Sequence, residues 1–150
     1  MKKKHIKWLL VIAWMILRFV YSSQTAVISD ENSGFVIKVF KYIGIDLKSS
    51  LGDLANFIVR KSAHFTEYFI LSLLVYNALR ENCSVAKAIF FTITIVFCYA
   101  CSDEIHQLFV PGREGKFRDV IIDTSGGAAG MLVVYLSHIK NLIDVQKELT

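Results

Sequence analysis

The sequence predicts an all-α integral membrane bundle of four transmembrane helices, with an amphipathic interfacial helix between the first two. Three observations carry that expectation. The 150 residues are 54% hydrophobic and only 20% charged, with a mean hydropathy of +0.47, too apolar for an ordinary soluble domain. Most of the apolar residues gather in four runs, each near the roughly 17–25 residues that a helix needs to cross a bilayer. One proline and eight glycines leave little material for a loop-rich fold, and no run alternates in polarity as the strands of a transmembrane barrel do.

The first run, residues 6–21, follows the basic start MKKKHIK and has the outline of a secretory leader. Bulky Trp8 and Trp14, Arg18 near the far end and the lack of a small-x-small cleavage site predict an uncleaved first span instead. Arg18 has two uses open to it there: snorkelling outward, or neutralising a carboxylate of the bundle. In the segment that follows, Val36, Val39, Phe40, Ile43 and Leu47 share one helical face while Lys38 and Lys41 point away. Such a stripe suits a helix lying in the membrane interface and equally one packed against the bundle. Runs 63–79, 85–101 and 120–139 supply the other three spans.

Residues 1–150 therefore read as one membrane domain, because the longest polar segment, 22–60, is too short to bury a core of its own. Lys2, Lys3, Lys4 and Lys7 predict a cytoplasmic N-terminus, and an even number of spans returns the C-terminus to the same side. GGAAG at 126–130 has the small-xxx-small spacing of close helix packing. Cys98 and Cys101, inside an apolar run, read as small core residues rather than a redox pair, and with Cys83 the odd count implies no disulfide framework.

This topology brings the start of the second span, the end of the third and the start of the fourth to the outer leaflet, where SDEIHQLFVPGREGKFRDVIID (102–123) concentrates the charge. At about 100° per residue, Arg60, His64 and Glu67 occupy a narrow arc of the second span. Asp103, His106 and Gln107 share a face of the third with Glu104 beside them, and Asp119 and Asp123 share a face of the fourth. Charge at such depth is costly unless it faces the bundle interior, a partner or water, so its default reading is functional. The plainer alternative is a set of ion pairs that only fixes helix packing. Pro111, Gly112 and Gly115 predict a turn that lids a polar pocket and aims Arg113 at Glu67, Asp103, Asp119 or Asp123.

His64, Glu67, Asp103 and His106 are the candidates for a divalent metal, although their spacing matches no zinc signature and no cofactor is otherwise implied. Phosphate-loop, GxSxG and HExxH motifs are absent. The net charge of +4 comes largely from the N-terminal lysines, which makes nucleic acid a poor partner.

RKSAHFTEYFILSLL followed by CSDEIHQLFVPGREGKFRDVIIDTSGGAAG resembles the VanZ family of small bacterial membrane proteins, associated with low-level resistance to the glycopeptide teicoplanin. The resemblance covers about residues 60–130 and falls on Lys61, His64, Glu67, Tyr68, Asp103, Glu104, His106, Gln107, Pro111, Gly112, Arg113, Asp119, Asp123 and Gly126; the N-terminal third carries none of it. It implies a multi-pass protein of the bacterial cytoplasmic membrane with a role in the envelope, but no agreed reaction and no oligomeric state. Three roles stay open. A non-enzymatic resistance factor would bind a lipid-linked envelope component or the drug at the polar outer site, with Arg60, Lys61, Arg113 and Arg118 gripping phosphate or carboxylate. A membrane-embedded hydrolase or transferase would use Glu67 as base or a metal to activate water on a lipid or lipid-linked precursor. A non-catalytic accessory subunit would offer its loops to a larger envelope complex.

Overall fold

The structure is a computed structural model that describes residues 2–148. Among the described residues the chain folds into α1 (Lys2–Ser22), α2 (Ala26–Tyr42), α3 (Leu47–Leu51), α4 (Leu54–Leu79), α5 (Val85–Gln107) and α6 (Phe117–Glu148), with no strand. Helix α4 sits at the centre and touches each of the other five. His64, Tyr68, Leu71, Val75 and Ala78 form its buried stripe, alternating steps of four and three as a helix needs to keep one seam facing its neighbours. Helix α1 lays Val11, Arg18 and Ser22 against that core. The inward face of α5 carries Ala88, Thr92, Val96, Ala100, Asp103 and Gln107.

Glycines let α6 come close. A Cβ at Gly126 would overlap the Phe65 carbonyl oxygen, one at Gly130 would overlap the Ser72 hydroxyl, and one at Gly127 would press on Val96. The packing expected of GGAAG is therefore present, on α4 and α5 together.

The bundle is apolar outside, and its interior adds buried charge to an apolar core. Leu9, Leu10, Ile16 and Leu17 of α1, Phe90, Phe91 and Phe97 of α5, and Leu132, Val133 and Leu136 of α6 are exposed, while Asp103, Glu104, Asp119 and Asp123 are buried. So much exposed apolar surface over a charged interior suits surroundings of lipid.

Four spans were expected; three helices, over Lys4–Ser22, Val85–Gln107 and Phe117–Glu148, are long and apolar enough to cross a membrane. The exception is α4, which has 26 residues but carries Arg60, Lys61, His64, Glu67 and Asn77. These polar residues lower its hydropathy; His64 among them is buried against neighbouring helices, and Arg60, Lys61 and Glu67 are partly covered. The helices also overrun the apolar segments: α4 starts at Leu54, α5 continues to Gln107 and α6 to Glu148. Polar side chains end a hydrophobic run without ending the backbone hydrogen bonds that define a helix.

Helix α2 begins ten residues before the apolar stripe expected there and stops at Tyr42, ahead of Ile43 and Leu47. Val36, Val39, Phe40 and Ile43 stay exposed while Ser33 is buried. The stripe is only half-covered: Val36 joins Ser29 and Ser33 in lining the cavity against α4, while Ile43 at the end of the helix stands free.

Candidate functional site

The site is built around one arginine. The backbone of α1 is tied to its neighbours by the Trp14 indole N–H donating to the Glu67 carbonyl at 3.0 Å and the Tyr99 hydroxyl donating to the Met15 carbonyl at 2.6 Å. One turn after Trp14, Arg18 turns inward and is 5% exposed. Its Nε lies 2.8 Å from Oε2 of Glu67, and its Nη2 lies 2.9 Å from Oδ2 of Asp103 and 3.1 Å from Nδ1 of His64. The guanidinium carbon stands 5.5 Å from the centre of the Tyr68 ring, within cation–π range.

His64 extends this network to α6. Its Nδ1 faces Oδ1 of Asp123 at 3.2 Å as well as Arg18. One nitrogen cannot serve both partners in a single state: protonated, it donates to Asp123; unprotonated, it accepts from Arg18. On α5, Gln107 donates to Oδ2 of Asp103 at 3.3 Å and Oε1 of Glu104 at 3.1 Å, and the Lys116 backbone N–H donates to Oε2 of Glu104 at 2.8 Å. Lys61 and Asp119 close the outer edge as a separate ion pair at 2.6 Å.

Beside the cluster, a cavity of about 290 Å³ opens between α1, α2 and α4, lined by Arg18, Gln24, Asn32, Arg60, Glu67 and Arg113 among others. Arg60 is held by Asp30 at 3.0 Å. Arg113 donates through Nε to the Gln24 carbonyl at 3.0 Å. Burial, then the like charges of Arg60 and Arg18, push the Arg113 guanidinium below the usual arginine value. Of the three guanidiniums at this opening, Arg18 and Arg60 are matched by carboxylates, whereas Arg113 meets the neutral Gln24 carbonyl and is the one an anion would relieve.

The VanZ/LLP1 family profile matches residues 7–138. The chain belongs to the VanZ/LLP1 family. Comparison with curated proteins and with solved structures returns no match.

The VanZ/LLP1 bundle gathers most of the residues singled out from sequence. His64, Glu67, Tyr68, Asp103, Glu104, Gln107 and Asp123 meet around Arg18, and Lys61 and Asp119 meet each other. Two expectations need correction. Arg113 forms no ion pair with Glu67, Asp103, Asp119 or Asp123; the turn at Gly112, with φ of +74°, docks the loop on Ala26 at the start of α2, and Arg18 fills the role expected of Arg113. Arg60 keeps the arc it shares with His64 and Glu67, all three lining the cavity, and pairs there with Asp30 of α2.

His106 points away, its Nε2 3.1 Å from the Ser23 hydroxyl and its ring centre 4.4 Å from that of Phe19. The buried arc of α5 centres on Gln107, with Asp103 and Glu104 to either side; His106, one residue back, falls about 100° off it. The set His64, Glu67, Asp103 and His106 is therefore not assembled for a metal. The residue missing from the predicted cluster is Arg18, and its signal was a lone charge inside the first apolar run.

Proposed function

We propose that this VanZ/LLP1 protein sits in the bacterial cytoplasmic membrane with α4 as a fourth span, and binds an anionic, lipid-linked envelope component at the cavity beside α2. Through that binding it confers low-level resistance to teicoplanin-type glycopeptides. The observation that carries the reading is the cavity lined by Arg18, Arg60 and Arg113, whose α2 wall includes apolar Phe35 and Val36, both open to the surroundings in part. Guanidiniums suit a phosphate or carboxylate head, and the apolar α2 wall suits the lipid tail of the same molecule. Buried His64 paired with Asp123 favours a second reading, a hydrolase or transferase acting on such a lipid, with the pair moving the proton.

The test is teicoplanin and vancomycin susceptibility of a Gram-positive host expressing wild type, Arg60→Ala or Arg113→Ala, with membrane levels checked by blot. Wild type is expected to raise the teicoplanin inhibitory concentration and the equally abundant variants to lose that protection. Equal protection by all three, or none by the wild type, overturns the reading. Turnover of a purified lipid-linked precursor that His64→Gln abolishes would favour the enzyme over the binder.

A further inference from the structure

Deeper than the cavity lies an imbalance of charge. Of four neighbouring carboxylates, Glu67 and Asp103 pair with the single guanidinium of Arg18, Asp123 meets His64, and Glu104 meets no cation. His64 can add at most one positive charge, and Lys61 is already matched by Asp119. Glu104 receives only neutral donors, the Gln107 amide and the Lys116 backbone N–H. At least two negative charges are left without a counter-charge in a buried place, where carboxylates persist only if paired, protonated or coordinating a metal.

Geometry favours the metal. Asp103, Glu104 and Asp123 are all buried, and each presents one oxygen such that the three lie within 4.8 Å of one another. Oxygens on opposite sides of a cation at the roughly 2.4 Å typical of a calcium–oxygen bond are about 4.8 Å apart, and shorter magnesium bonds bring them closer. Oδ2 of Asp123 and the hydroxyl of Tyr68 are among the buried oxygens without a hydrogen-bond partner. Both residues are 0% exposed, and the Tyr68 ring lies under the Arg18 guanidinium that holds Asp103.

We infer that Asp103, Glu104 and Asp123 bind one hard divalent cation, of the magnesium, manganese or calcium class, with the Tyr68 hydroxyl placed to complete its shell. The donors are all oxygen, which suits these ions rather than zinc or copper. The site differs from the histidine-containing set expected from sequence and excludes His106. It does not depend on the anion-binding reading of the cavity, whose lining includes none of these three carboxylates.

The probe is Mn²⁺, followed by electron paramagnetic resonance on the full chain in nanodiscs after chelator treatment. One ion per chain is expected for the wild type, displaced by excess Mg²⁺ or Ca²⁺, with a rise in unfolding temperature of roughly 5 °C at saturation. Glu104→Gln and Asp123→Asn should each weaken Mn²⁺ binding at least tenfold, while His106→Ala should leave it unchanged. If Asp123→Asn does not fold, Glu104→Gln carries the comparison alone, since its amide keeps the shape of the side chain. No ion in the wild type at pH 7.5 overturns the inference and assigns the excess charge to bound protons; binding undiminished in the folded carboxylate variants overturns it as well.

Discussion

Arg18 shows how one side chain can hold several helices in register. It is the fixed positive charge that Glu67 of α4 and Asp103 of α5 share, and it reaches them through different nitrogens of a planar fork that lysine lacks. Removing one member of a buried charge pair leaves its partners uncompensated, at a cost of about 3–5 kcal/mol. Arg18→Gln is therefore expected to lower the unfolding temperature of the detergent-solubilised protein sharply, and Arg18→Lys to recover only part of the loss. Combining Arg18→Gln with Asp103→Asn should cost less than the sum of the two single changes; strict additivity would mean that the pair does not interact. The carboxylates and His64 of this cluster were legible in the sequence, because rare polar residues at helical spacing inside apolar runs announce a shared face. The direction of Arg18 was not legible. A cation one turn from the end of a span can reach either lipid head groups or the interior, and only the position of Asp103, 85 residues away, decides between them.

At the scale of the element, the contact of α6 with α4 rests on missing Cβ atoms. An alanine at Gly126 would meet backbone, the Phe65 carbonyl, which has no rotamer to change. Gly126→Ala is expected to destabilise by about 1–3 kcal/mol as an overpacked interface. Gly34 on α2 has open space where its Cβ would go, so Gly34→Ala should be neutral or stabilising by about 0.5–1 kcal/mol through helix propensity. Thermal unfolding of both variants in one detergent makes the comparison, and a silent Gly126→Ala would contradict the close approach of the two backbones. GGAAG was readable as packing because that spacing has one main physical use in membranes. The bounds of α2 were less readable: its first turns, rich in Ser, Asp and Asn, have the composition of a loop and become helical while Ser29, Asn32 and Ser33 face the polar cavity.

Across the whole molecule, the ends of the helices constrain the topology more tightly than hydropathy does. Near the N-terminal end of α1, Lys7 pairs with Glu81 and Lys4 donates to Asn82 just beyond α4. At the other end, Arg18 meets His64 and Glu67 around the middle of α4 and Asp103 near the end of α5. Asp123, near the start of α6, joins them through His64. The four long helices thus alternate in direction, and α4 runs antiparallel to α1, with the turn at residues 80–84 beside the start of α1. Hydropathy scores each helix as though lipid surrounded it, whereas His64 and Tyr68 of α4 look onto other helices, so a fourth crossing by α4 is the expectation to test. A reporter active only in the cytoplasm is accordingly expected to be active when fused after residue 82, just beyond α4, and silent when inserted after Gly44, in the segment between α1 and α4. The same activity at both sites would remove α4 from the membrane and the Arg18 cluster from a shared leaflet.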